Sequence, residues 1–132
     1  MLRAVTAVAT GMFALVAAAP AASAVGLPSV SLTISVAHSN HDGSPAGIVV
    51  GTLTCSPDGG IHRDPEGACA ELVGAGGDFA AADHESDVAC PMHFAPVTVR
   101  ATGWYGSELV RYSHTYGNSC VFGSTGSAVW RV

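Results

Sequence analysis

The residues whose side chains most often do chemistry in proteins are present in this sequence, but they form no recognised catalytic motif. Serines are frequent, yet none lies in a G-x-S-x-G sequence. The histidines are scattered, and no set of them has the spacing of a metal site. An enzyme needs a nucleophile, a base and an oxyanion-stabilising group in one cleft. We therefore predict a protein that is not an enzyme and uses no metal or cofactor. The histidines are His38, His41, His62, His84, His93 and His114.

Residues 1–24 have the pattern of a secretory signal peptide. An apolar run over 4–19 follows Arg3, and the small-residue sequence A-S-A ends at Ala24. A transmembrane anchor is the alternative, but a proline closes the run before it reaches about 20 apolar residues. We predict cleavage after Ala24, a secreted protein, and one domain over residues 25–132.

The charge balance of the remaining chain argues against nucleic acid as a partner. Without the signal peptide, four arginines, no lysine and ten acidic residues remain, which gives a formal net charge of about −6. The arginines are not clustered, whereas nucleic-acid-binding domains usually carry a basic patch. No second apolar run is long enough to cross a membrane.

The cysteines predict two disulfides. An even number of cysteines in a small exported domain is typical of a disulfide framework. The spacings contain no close C-x-x-C pair of the kind that zinc sites usually show, so disulfides are favoured over a metal site. Four cysteines allow three pairings, and the residues alone leave all three open. The cysteines are Cys55, Cys69, Cys90 and Cys120.

The segment 87–97, DVACPMHFAPV, combines a cysteine, two prolines and an isolated methionine. Pro91 and Pro96 fix their own φ and push the preceding residue toward an extended conformation. A segment braced in this way loses little entropy when it docks as an extended strand in a protease cleft. The long apolar side chain of Met92 suits a roomy apolar pocket, and the absence of a basic residue there argues against trypsin-like enzymes. An ordinary turn with Met92 in the core is the alternative, and the segment alone leaves both interpretations open.

The elements that must position this segment are mostly strands. Apolar and polar residues alternate in several stretches, and turn-forming residues separate them. Asp64-Pro65-Glu66 is typical of a helix start, which predicts a short helix over 65–74, and 80–82 could add a helical turn. The fold class is therefore α+β with an antiparallel sheet. The predicted strands cover residues 30–36, 48–55, 96–105, 109–116 and 127–131.

Several motifs in the same order resemble those of the Streptomyces subtilisin inhibitor family, and the resemblance runs from about residue 30 to 132. It implies a five-stranded antiparallel sheet with two short helices packed on one face. It also implies disulfides between Cys55 and Cys69 and between Cys90 and Cys120, and a homodimer formed through the sheet. The motifs are GACAEL at 67–72, GGD at 76–78, DVACPM at 87–92, Trp104, Tyr112, Asn118, Cys120 and GSAV at 126–129.

The resemblance also implies a function, namely substrate-like inhibition of extracellular subtilisin-type serine endopeptidases. Met92–His93 would be the reactive bond, with Met92 in the primary specificity pocket of the protease. Asn118 would support the loop through side-chain hydrogen bonds. After cleavage, the amine of His93 would stay in place and re-form the bond before water completes hydrolysis. The other residues expected to contact the protease are Ala89, Cys90, Pro91 and Phe94.

Several positions depart from the family pattern, among them Ala95, where a relative has an acidic residue, and one residue inserted near Ser107 or Glu108. Ala89 stands where a larger side chain often fills a pocket, and His93 stands where a small or β-branched residue is common. Because imidazole side chains change charge near about pH 6.5, we predict weaker binding or faster release in acid. The alternative function is a secreted binding module, or a protease or transglutaminase substrate, of the same fold that has lost strong inhibition.

Overall fold

The computed structural model describes residues 26–84 and 86–132. The predicted signal peptide, residues 1–24, lies outside them. No helix in the described ranges is long and apolar enough to cross a membrane. The elements are β1 (Val30–Ser39), β2 (Pro45–Cys55), α1 (Pro65–Gly74), α2 (Phe79–Ala82), β3 (Val97–Tyr105), β4 (Glu108–Tyr116) and α3 (Ser119–Ser124).

The four strands form one antiparallel sheet in the order β2-β1-β3-β4. The α+β class with an antiparallel sheet is thus confirmed. Alternation in β1 decides which face is buried, because successive side chains of a strand point to opposite faces. The apolar set Val30, Leu32, Ile34 and Val36 is buried against the helices.

The opposite side of the sheet, which we name the open sheet face, is uncovered in the described chain. The β1 residues Ser31 and Thr33 lie on it, and so do the residues directly opposite them on neighbouring strands. Exposed apolar side chains stand among these hydroxyl groups. They are Ile48 and Val50 on β2, Trp104 on β3 and Leu109 on β4, each more than half exposed.

Helix α1 begins and ends where the sequence predicts. The Asp64 carboxylate accepts a hydrogen bond from the Gly67 amide at 3.0 Å, and Pro65 occupies the first turn. Glycines follow the helix, and Gly77 has a φ of +83° with the Tyr105 ring so close that a Cβ would meet it at 2.9 Å. A glycine is therefore required at this turn.

The prediction of a fifth strand over 127–131 is wrong. The backbone amide of Ala128 donates to the Glu71 carboxylate at 2.7 Å, and Ser127 donates its hydroxyl to the same oxygen at 3.0 Å. The chain then turns, with the amide of Arg131 bonded to the Ala128 carbonyl at 3.1 Å. Four successive residues, 127–130, are buried, so the segment fills the core as a coil rather than alternating between two faces.

The prediction of two helices is also wrong, because a third, α3, follows β4. The side-chain oxygen of Asn118 caps it by accepting from the amide of Val121 at 3.0 Å. This is the usual role of an asparagine at a helix start. The cap places Cys120 in the first turn of α3, two residues after Asn118.

An aromatic cluster joins α2, β4 and the C-terminal coil. The rings of Phe79 and Tyr112 stack at 5.1 Å between centroids, and Trp130 lies 5.8 Å from both. The carboxylate of Asp83 accepts from the Trp130 indole at 2.9 Å and from the Tyr116 hydroxyl. Burial, then this hydrogen bond, raises the pKa of Tyr116 well above its ordinary value. The end of β4 is therefore held firmly against the core.

Candidate functional site

Residues 86–96, which we name the exposed loop, run without regular secondary structure into the start of β3. Because β3 lies between β1 and β4, both neighbouring strands end beside this loop. Its apolar side chains point into solvent rather than into the core. Met92 is 100% exposed, and Val88 and Phe94 are each 61% exposed. This is the arrangement of a segment that another molecule covers.

A disulfide holds the N-terminal half of the loop. Cys90 is bonded to Cys120 of α3, with the two Cα atoms 5.7 Å apart. The second disulfide, Cys55–Cys69, lies in the core and joins the end of β2 to α1. These are the two pairings that the family resemblance implies, and that prediction is confirmed.

Asn118 supports the loop on both sides of Met92. Its side-chain nitrogen donates to the carbonyl of Pro91 at 2.9 Å and to the carbonyl of His93 at 3.0 Å. Its side-chain oxygen is occupied as the cap of α3, so the orientation of the amide follows from its partners. Asn118 is 3% exposed, which shields these bonds from water. The two carbonyls that flank Met92 are thereby fixed relative to the core.

The C-terminal half of the loop is attached to both neighbouring strands. The amide of Ala95 donates to the carbonyl of Gly117, just after β4, at 2.9 Å. On the other side, the amide of Ser39 donates to the carbonyl of Pro96 at 2.9 Å. Beyond Ser39, a ring nitrogen of His41 lies 3.0 Å from the carbonyl oxygen of Phe94. The loop is therefore an extension of the central strand, held from both edges.

The turn that carries His41 has a hydrogen-bond network of its own. Asp42 accepts from the hydroxyl and the amide of Ser44 at 2.6 and 2.9 Å. The hydroxyl bond, followed by the amide bond, lowers the pKa of the Asp42 carboxyl. The backbone amide of Asn40 donates to the carbonyl of Ser44 across the turn at 2.8 Å. The turn is thus a fixed support for the histidine at its tip.

The exposure of Met92 excludes the alternative in which it packs in the core. The structure places the other predicted contact residues on the same exposed surface, with Cys90 partly buried by its disulfide. No carboxylate or histidine hydrogen-bonds the Met92 backbone among the described residues. What this arrangement offers is therefore a peptide bond on a rigid support and an apolar side chain that projects from it. The exposed contact residues are Ala89, Pro91, His93 and Phe94.

The cysteine sulfur atoms are not available for metal binding or nucleophilic attack. All four cysteines are in disulfides, whereas zinc ligation and thiol catalysis both need a thiolate. Cys55, Asp58 and Cys69 lie close enough together to resemble a ligand set. Two of these three are the halves of the core disulfide, so the cluster is explained by that bond.

Comparison with known proteins decides the family. A model of the family described as subtilisin inhibitor-like matches residues 28–118. The chain belongs to the subtilisin inhibitor-like family. Subtilisin inhibitor-like protein 8 from Streptomyces virginiae is 39% identical over 105 residues, which cover 76% of this chain and 95% of that protein. Plasminostreptin from Streptomyces antifibrinolyticus is 39% identical over 101 residues, 76% of this chain and 93% of its own length.

A solved structure supports the fold. It is Streptomyces caespitosus sermetstatin, crystallised in complex with Bacillus licheniformis subtilisin. The two chains are 27% identical and superpose with a TM-score of 0.65, over 80% of this chain and 99% of that one.

One contact of the loop was not anticipated from the sequence, and it is the one from His41. The register of β1 and β3 pairs His38 with Val97, and continuing it beyond both strands sets His41 opposite Phe94. The residue types carry no signal of this contact, because the two residues are 53 positions apart. Only the strand register, had it been known, could have indicated it.

Proposed function

We propose that this protein inhibits subtilisin-type serine endopeptidases by presenting Met92–His93 as a substrate-like reactive bond. The observation that carries the proposal is the complete exposure of Met92 between two carbonyls held by one buried asparagine. A loop held in one conformation loses little entropy when it binds, so it binds more tightly than a flexible peptide. The subtilisin bound to sermetstatin supports the choice of protease class.

The same rigidity explains how a peptide bond can be attacked without being consumed. The serine oxygen of the protease attacks the Met92 carbonyl carbon, and the bond to the His93 nitrogen breaks as that nitrogen takes a proton. Cys90–Cys120 retains one new end, and the hydrogen bonds around His93 retain the other. An amine held within reach reacts as if at a very high concentration, so religation outcompetes hydrolysis. The expected interface is about 1,600 Å² in total.

The proposal includes export and assembly. Residues 1–24 would be removed as a signal peptide, and residues 25–132 would form the mature domain in an oxidising compartment, where two disulfides are stable. The open sheet face, with its exposed Trp104, Leu109, Ile48 and Val50, would pair with a second copy of the chain. Exposed apolar side chains grouped on one face are commonly part of a protein interface.

The experiment that tests the function is a titration of subtilisin with residues 25–132. The wild-type chain should abolish activity at a one-to-one ratio. Met92→Gly should weaken inhibition by about ten- to hundredfold, since it removes one buried apolar side chain from the complex. Met92→Lys should shift inhibition toward trypsin, whose pocket accepts a basic side chain.

A matched control for these variants is Leu27→Gly, which removes another exposed apolar side chain far from the loop in sequence; Leu27 is 71% exposed. This variant should inhibit like the wild type. If the wild-type chain is digested, or does not inhibit at equimolar concentration, the proposal is wrong. The alternative of a binding module or substrate of the same fold would then apply.

A further inference from the structure

We infer that His41 is a positioning residue for the reactive bond, which keeps the amine of His93 in place while the bond to Met92 is open. This inference rests on the function proposed above. It starts from the hydrogen bond between the His41 ring and the Phe94 backbone at 3.0 Å. A carbonyl oxygen can only accept, so the Nδ1 atom of His41 carries the proton and donates it.

The position of His41 follows from the sheet. In the β1–β3 register His38 lies opposite Val97, and the amide of Ser39 still reaches the carbonyl of Pro96 beyond the paired region. Two residues further on, β1 has become a turn and its backbone no longer follows the loop. The His41 side chain spans that gap and donates to the carbonyl of Phe94, two residues before Pro96. It therefore extends the support of the sheet past the end of the strand.

The turn beneath His41 makes this support rigid. The carboxylate of Asp42 holds the hydroxyl and the amide of Ser44, and the side chain of Asn40 donates to the Ser44 hydroxyl at 3.0 Å. Gly43 adopts a φ of +80°, which a residue with a side chain rarely does. The backbone on both sides of His41 is consequently fixed, so the ring can fix the loop.

His41 acts on the half of the loop that lacks a covalent tie. Before the reactive bond, Cys90 is joined to α3 by its disulfide. After it, His93 is held by one bond from Asn118, and Phe94 by the bond from His41. The rings of His41 and His93 also lie 5.5 Å apart at an angle of 60°. Loss of the His41 bond would leave the new amine anchored by Asn118 and, further along the chain, by the backbone bonds of Ala95 and Pro96.

The chemistry shows why this half matters. In the acyl-enzyme, Met92 is an ester of the protease serine, and the free amine of His93 is the leaving group. Religation forms the C–N bond again, returns the proton to the serine oxygen and consumes no water. Hydrolysis instead adds one water to the ester and leaves the bond cut. The fraction of time that the amine spends beside the ester decides between the two outcomes.

The test compares His41→Phe, which keeps a ring but has no donor, with His41→Gln, which keeps a donor. Each variant is held with equimolar subtilisin at pH 8, and cleavage at Met92–His93 is followed by mass spectrometry. We expect the Phe variant to accumulate cleaved chain about three- to tenfold faster, the effect of one hydrogen bond. The Gln variant should stay close to wild type. The control is His84→Phe, since His84 is exposed and outside the loop.

The inference is overturned if the Phe variant is cleaved as slowly as wild type, or if the Gln variant is cleaved as fast as the Phe variant. Amide hydrogen exchange of residues 93–95 in the free protein gives an independent readout, which should rise with Phe and not with Gln. If the wild type fails to inhibit subtilisin, the proposed function falls, and the exchange measurement still decides whether His41 fixes the loop. Equal exchange in all variants would contradict the positioning role.

Discussion

Two regions of this molecule expose apolar side chains, and they do so in opposite ways. The exposed loop projects Met92 and Phe94 from an irregular segment, whereas the open sheet face spreads Trp104 and Leu109 over the broad face of a sheet, among hydroxyl and arginine side chains. A projecting side chain fits a concave partner, such as a protease cleft. A flat face fits another flat face, such as a second copy of the sheet. Shape, more than apolar area, separates the two roles.

The two regions also differ in how they are held. The sheet face is stabilised by ladders of backbone hydrogen bonds along whole strands. The loop has only two such backbone bonds, at Ala95 and Pro96, and otherwise depends on a disulfide, one buried side-chain amide and one histidine. Single changes should therefore affect the loop strongly and the sheet face mainly at its surface. The predictions below test that difference, beginning with the largest effect.

Removal of the loop disulfide should have the largest effect. In Cys90→Ala/Cys120→Ala the loop loses a constraint worth about 4 kcal/mol in the chain-entropy model. The variant should be digested by subtilisin within the loop, while circular dichroism shows the sheet intact. The matched control is Cys55→Ala/Cys69→Ala, which removes the core disulfide, worth about 3 kcal/mol. The molecules of this control that fold should still inhibit subtilisin. Stoichiometric and lasting inhibition by Cys90→Ala/Cys120→Ala would contradict the account.

Asn118→Asp separates support of the loop from capping of α3. Aspartate can accept from the Val121 amide as asparagine does, but its carboxylate cannot donate to Pro91 and His93. We expect inhibition to weaken by about tenfold or more, since two donated bonds are lost. Thermal unfolding should change much less than for Asn118→Ala, which also lacks the cap. Equal inhibition by Asn118→Asp and the wild type would show that the bonds to the loop are not needed.

Strand β1 and helix α1 could be predicted from sequence because their signals are local. Alternation in β1 and the Asp64-Pro65 helix start each lie within a few residues of what they determine. The segment 127–131 was misassigned because its apolar residues fill the core as a coil, held by Glu71, which lies 57 positions from Ala128. The contact of His41 with Phe94 depends on strand register, which no local pattern encodes. The exposed loop is an intermediate case. Its prolines and cysteine are visible in the local sequence, but the residues that support it are distant along the chain.

Charge on the open sheet face should separate assembly from inhibition. Val50 is 55% exposed on β2, and Val50→Asp places a carboxylate in the proposed dimer interface. An unpaired charge buried at an interface disfavours association. Sedimentation should show dimers for the wild type and monomers for the variant at the same concentration, about a tenfold or larger loss of affinity. Subtilisin inhibition per chain should be unchanged, and a parallel loss of inhibition would link the two regions that we treat as separate.

The smallest expected effect concerns the buried side of the same sheet at high pH. Burial, followed by the charge of Asp83, raises the pKa of Tyr112. The pKa of Tyr116 is raised as well. The unfolded chain would ionise its tyrosines near about pH 10, before the folded chain does. The stability from these groups is therefore complete below about pH 10 and declines as the pH rises above it. Urea unfolding at pH 8 and 11 should show the loss, and Tyr112→Phe should reduce it.

The central claim is that Met92 enters the specificity pocket of a subtilisin-type protease. The most direct measurement is a crystal structure of residues 25–132 bound to subtilisin. We predict the Met92 side chain in the primary pocket, its carbonyl carbon beside the catalytic serine oxygen, and Asn118 still bonded to Pro91 and His93. A complex in which another segment occupies the pocket, or in which the loop has left Asn118, would contradict the account.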